Sequence, residues 1–154
     1  MSMIIDGTNG LTFNNATVQA SAGVVLQVVQ IKNTTQASTT STSLVTTGVS
    51  ATITPKFSTS KILALVVCGG IYAQTQANYY SLYRNSTNLS ADNLGQLYCN
   101  TANVLTNVTF NILDNPTTTS STTYTIYFNA SSGTTYLNLG NGGVTTIILM
   151  EIAG

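Results

Sequence analysis

Histidine and tryptophan are absent from this chain, and charge is nearly so. Four basic and four acidic residues among 154 leave it 5% charged with no net charge, against about 25% in an ordinary globular protein. Without histidine there is no Ser-His-Asp or Cys-His arrangement and no imidazole metal ligand. The four carboxylates, Asp6, Asp92, Asp114 and Glu151, are scattered, and the first three neighbour Asn, Gly or Pro, the usual company of a turn. Glycoside cleavage needs two acids brought together in space, and nothing in this spacing points to such a pair, so turn formation is the expected role of each. The expectation is a protein that is not an enzyme, with no catalytic residue, metal site or cofactor.

The basic residues, Lys32, Lys56, Lys61 and Arg84, form no cluster. The counterion release that drives nucleic-acid binding is then missing, as is an electrostatic hold on anionic lipid. The most apolar run, Ile62–Ala73, falls well short of the ~20 residues that cross a bilayer, so neither a nucleic-acid partner nor membrane insertion is expected. The start MSMIID lacks the basic region of a secretory signal. Cys68 and Cys99 have no metal-binding spacing; two reduced thiols, with Cys68 packed as a small hydrophobe, are expected over a disulfide. Asn-x-Ser/Thr sequons begin at Asn15, Asn33, Asn85, Asn88, Asn107 and Asn129, as chance allows in a chain so rich in Asn, Ser and Thr.

What is abundant is β-branched and aromatic sequence in strand-length runs. These are Val24–Ile31, Ser43–Thr54 (read as two strands), Lys61–Ala73, Tyr79–Asn85, Gln96–Cys99, Val104–Leu113, Tyr124–Ala130, Thr135–Leu139 and Val144–Ile152. Turn-forming stretches separate them: TTQASTTST, TPKFSTS, RNSTN, LDNPTTTSS, NASSGT and LGNGG, the last read as a hairpin turn. Pro55 and Pro116 fall in such connections, where a missing N–H harms no ladder. The fold class is all-β, an antiparallel sandwich or jelly roll of about 8–10 strands.

The strand faces carry more. In a lone sandwich each strand alternates apolar inside and polar outside. Tyr124, Ile126 and Phe128 against Thr125, Tyr127 and Asn129 do so in part. Three other strands are apolar on both sides: Ile62, Ala64, Val66 and Cys68 against Leu63, Leu65 and Val67; Ile147 and Leu149 against Ile148, Met150 and Ile152; and Val24, Leu26 and Val28 against Val25 and Val29. Such strands need cover on both faces, and with no helices in prospect, neighbouring copies are the natural source. The scarcity of charge points the same way, since edges guarded by few charges must be paired or buried. In YYSLYR, Tyr79 and Tyr83 share one face while Tyr80 and Arg84 share the other. Tyr79, Tyr83 and Arg84 are the candidate receptor contact, beside the plainer reading that one face is core. Tyr72, Tyr98, Tyr127 and Tyr136 are equally open to either reading.

The opening IIDGTNGLTFNNATVQASAG followed by VVLQVVQ resembles the start of a group of bacteriophage virion proteins, the short tail-fibre-like proteins common in marine phages. Leu11-Thr12-Phe13 matches their short strand, Asn14-Asn15-Ala16-Thr17 their turn and Gln19-Ala20-Ser21-Ala22 the element leading into the body. Asn14-Asn15 stands where Asp-Gly is more usual. The segments ATITPKFSTSKILALV, LYRNSTNL, ILDNPTTTSSTTYTIYF and IILMEIAG extend the likeness over most of the chain.

The resemblance implies a homotrimer of jelly rolls of the tumour-necrosis-factor/C1q sort, located in the virion after assembly in the host cytoplasm. Residues 1–23 would be an arm that anchors the protein to other virion proteins through Leu11, Phe13 and Val18. Residues 24–154 would be the β-domain, with Leu63, Leu65, Val67, Ile148, Met150 and Ile152 at the trimer interface. Its exposed loops would meet a host-surface glycan or protein. A capsid decoration protein is the alternative role, and a polysaccharide-binding or depolymerising protein a third.

Overall fold

The computed structural model describes residues 24–74, 78–90, 103–140 and 143–154 in full, and the short strands at 4–6, 10–12, 18–19 and 97–99 by their backbone. Among the described residues there are fourteen strands. Three lie in the opening segment: β1 (Ile4–Asp6), β2 (Gly10–Thr12) and β3 (Val18–Gln19), hydrogen-bonded antiparallel in that order. The rest are β4 (Val25–Asn33), β5 (Ala37–Thr39), β6 (Val45–Ile53), β7 (Lys61–Ala73), β8 (Asn78–Arg84), β9 (Thr87–Asn88), β10 (Leu97–Cys99), β11 (Thr106–Asp114), β12 (Thr122–Phe128), β13 (Thr135–Leu137) and β14 (Thr145–Ile152).

Two antiparallel sheets make the body. One runs β4-β14-β7-β11; the other runs β6-β12-β8, with β9 and β10 pairing the remaining edge of β8. Counting the eight principal strands in chain order, the first pairs with the last (β4 with β14), the second with the seventh (β6 with β12), the third with the sixth (β7 with β11) and the fourth with the fifth (β8 with β10). This is the pattern of a long hairpin rolled up on itself, a jelly roll.

Alternation places the core. Ile62, Ala64, Val66 and Cys68 of β7, Ile147 and Leu149 of β14 and Phe110 of β11 turn inward from one sheet. They meet Val49, Ala51 and Ile53 of β6, Tyr80 and Leu82 of β8, and Tyr124, Ile126 and Phe128 of β12 from the other. Cys68 is buried as a small core residue. Most predicted strands are present with their faces as read, and the differences have local causes.

Ser43–Thr54 holds one strand, β6, where two were expected. Gly48, at φ 79°, lets β6 bulge against β12 between Ser50 and Thr46 and continue. Short β5 and β9 lie in stretches read as turns. LGNGG is no hairpin: β13 and β14 both run antiparallel to β7 and lie one after the other along the same edge. β14 therefore runs in the same direction as β13.

That loop packs on the two glycines of β7. Asn138 and Leu139 donate their N–H groups to Gly69 O (3.0 Å) and Gly70 O (2.9 Å). A Cβ on Gly69 would sit 2.3 Å from Val144 O. Buried Asn138, itself left-handed at φ 57°, donates from Nδ2 to Asn33 O and Thr35 O (3.1 Å each) and accepts from Thr145 Oγ1 (2.8 Å). It joins β4, β13 and β14 at one point.

Candidate interaction surfaces

The outward face of the β4-β14-β7-β11 sheet is the principal feature. The register sets its side chains in cross-strand rows: Val25, Ile152 and Lys61; then Val28, Met150, Leu63 and Leu113; then Gln30, Ile148, Leu65 and Asn111; and last Lys32, Thr146, Val67 and Thr109. Strand spacing of about 4.8 Å and a side-chain repeat of about 6.8 Å make this face roughly 15 by 20 Å. Charge appears only in the first and last rows. Val25, Val28, Val67 and Leu113 are 41–56% exposed, and the other apolar members are half-buried.

All six residues expected at a trimer interface, Leu63, Leu65, Val67, Ile148, Met150 and Ile152, lie on this one face. Val25, Val28 and Leu113 share this face and were not grouped with them in the sequence analysis. For Leu113 the signal was present, because Val108, Phe110 and Ile112 alternate with Thr109, Asn111 and Leu113. Val25 was assigned the face of Val29, but the register shift beside Glu151 pairs Ile152 with Val25 and turns it outward.

The opposite sheet has a different exterior. Tyr83 and Tyr127 are diagonal neighbours on β8 and β12, their rings stacked with centroids 3.8 Å apart at 20°. Thr125, Thr123, Ser50 and Thr52 continue the face, with Thr52 and Thr123 sharing a 2.9 Å hydrogen bond between hydroxyls. Tyr79 is half-buried on the same side as Tyr83. Arg84, grouped with these tyrosines as a candidate contact, points the other way.

Arg84 Nη1 donates to both Asp114 oxygens (2.8 and 3.0 Å) and to Asn115 O (3.2 Å), while Tyr124 donates its hydroxyl to Asp114 Oδ2 (2.7 Å). This pair bridges the two sheets. Burial, reinforced by the Asp114 contact, pushes the Tyr124 hydroxyl far above the ordinary tyrosine range, so it remains a donor to Asp114.

Glu151 is the second buried acid at this pole. Its carboxylate accepts from Gln27 Nε2, Lys56 N (2.7 Å) and Phe57 N (3.4 Å), tying β14 to β4 and to the turn after β6. Burial acts to raise its pKa, but these donors outweigh burial and hold the carboxyl below the ordinary range. Asp114 and Glu151, expected in turns, serve instead as internal ties, each saturated by its own donors. Beside this tie an apolar pocket of about 380 Å³ is lined by Val24, Leu26, Phe57, Thr59, Ala153 and Gly154.

The arm residues Leu11 and Val18 fall in β2 and β3, and their side chains, with all of Phe13, lie outside the described residues. Asp6, Asp92 and Cys99 do so too. Among the described residues, no group of three His, Cys, Asp or Glu side chains is placed to hold a metal ion.

No protein-family model and no curated protein matches the sequence. Among solved structures, a chain in the structure of infectious bursal disease virus, Gx strain, is similar at 17% identity and a TM-score of 0.40. The match covers 82% of this chain and 40% of that one, so this chain spans less than half the length of the viral one.

Proposed function

We propose that this chain is a non-enzymatic structural subunit of a bacteriophage particle, a homotrimeric appendage protein. Residues 1–23 anchor it to other virion proteins, and its jelly roll is displayed at the particle surface. The observation that carries this reading is the outward face of the β4-β14-β7-β11 sheet. The largest contiguous apolar patch on a protein's surface is often its interaction site. Here the two middle rows offer Val28, Met150, Leu63, Leu113, Ile148 and Leu65, with only Gln30 and Asn111 as polar members.

A second copy supplies matching apolar rows, and closed symmetry lets every copy bury the same patch without leaving one open. The resemblance of the opening and body segments to tail-fibre-like virion proteins supplies the biological setting. The jelly roll is compatible with it and does not decide it, because one fold hosts many functions. The two buried carboxylates support the structural role, since each is spent on an internal tie.

Mass measurement by light scattering at micromolar concentration tests the reading. The expected species contains three chains of 16.1 kDa, and a folded single chain overturns it. Electron microscopy of the intact particle then separates the appendage from a capsid decoration, by position and by copy number.

A further inference from the structure

We propose that the outward face of the β6-β12-β8 sheet, centred on the Tyr83–Tyr127 stack, binds uncharged carbohydrate. The proposal rests on the reading above only in that burying the opposite sheet leaves this one facing outward. Three observations carry it. First, the two rings hold each other in place at 3.8 Å, so a ligand stacking on them finds a fixed aromatic surface and costs little side-chain entropy. Among the described residues, none bonds either hydroxyl.

Second, the surroundings are neutral donor–acceptor groups: Thr125, paired with both Tyr83 and Ser50, and Thr123 beside Thr52. Third, among the described residues the face has no cation. Arg84 follows Tyr83 in the chain, but it lies on the opposite face with its guanidinium turned inward onto Asp114. A nucleic acid, an anionic lipid or an acidic polysaccharide therefore finds no counter-charge here, whereas a neutral glycan needs none. Aromatic faces meet the C–H faces of a sugar, and the threonine and serine hydroxyls meet its hydroxyls.

Electrophoresis of the full chain through gels containing dextran, mannan, soluble β-glucan or alginate tests this, with light scattering on the same sample. At least one neutral polymer is expected to retard the protein, with an affinity that changes less than about twofold between low and high salt. Tyr83→Ala is expected to weaken retardation about tenfold or more. Thr125→Asp, a small change on a half-exposed position, is expected to weaken it likewise while the melting temperature holds.

Retardation by alginate alone, by none of the neutral polymers, or by a neutral polymer equally in both variants overturns the proposal. A retarded monomer upholds it and removes the trimer; a trimer that runs freely does the reverse.

Discussion

At the scale of single residues, both acids whose side chains are described turn inward. Asp114 is 9% exposed and Glu151 fully buried. Arg84→Ala should strand the Asp114 carboxylate with only Tyr124 as a donor. The pair keeps some contact with water, so the expected cost in urea unfolding is about 2–3 kcal/mol, below that of a fully buried pair. Tyr124→Phe should cost about 1–2 kcal/mol, the loss of one hydrogen bond to a charged group.

Glu151 makes acid the weak side of the protein. Its pKa is depressed in the fold, so its contribution is complete above the unfolded glutamate value of about 4.3 and is lost as pH falls through the lower folded value. Glu151→Gln should be less stable than the parent at neutral pH. The gap between the two, measured by urea titration, should narrow as pH drops from about 5 to about 3.

At the scale of elements, the joint between β13 and β14 leaves no room for a side chain on Gly69. Gly69→Ala would thrust a methyl group against the Val144 backbone, where no flexible side chain can give way. The expected cost is about 3 kcal/mol, at the upper end for overpacking, measured by thermal or urea unfolding.

This joint also shows what could be read in advance. In Lys61–Cys68, Tyr124–Phe128 and Thr145–Ile152 the division of side chains into two faces was legible, because a period of two survives wherever pairing is regular. LGNGG misled because Gly and Asn record left-handed backbone but not whether the chain then reverses. Asn138 and Gly140 adopt positive φ here inside a loop that leads one strand into the next along the same neighbour. Val25 was misplaced for a related reason, since a bulge is invisible in a pattern that assumes none. Arg84 was assigned its correct face, but its ion pair was not legible, as its partner Asp114 is 30 residues distant.

At the scale of the whole molecule, the two exteriors make separable predictions. Leu65→Asp, in the middle of the apolar face, should convert the proposed trimer to single chains. Three like charges would meet around the axis at a cost of several kcal/mol. Its circular dichroism should stay that of a folded β-protein, because Leu65 points away from the core. Deleting residues 1–22 should leave a body of unchanged oligomeric mass while abolishing incorporation into particles, scored by immunoblot of purified virions.

The jelly roll also decides how the subunit bears load. β4 and β14 are antiparallel neighbours, and Ala153 N–H bonds Val24 O at 2.9 Å, so both ends of the body sit at one pole. Tension applied between those ends would unzip the two strands a hydrogen bond at a time, the weak direction for any sheet. Tension running from the N-terminal side to the sheet's broad surface or to the far pole would strain many ladder bonds at once. A subunit held by its leading segment and tugged at its far side is therefore loaded along its strong axis, and one tethered by its tail as well is not.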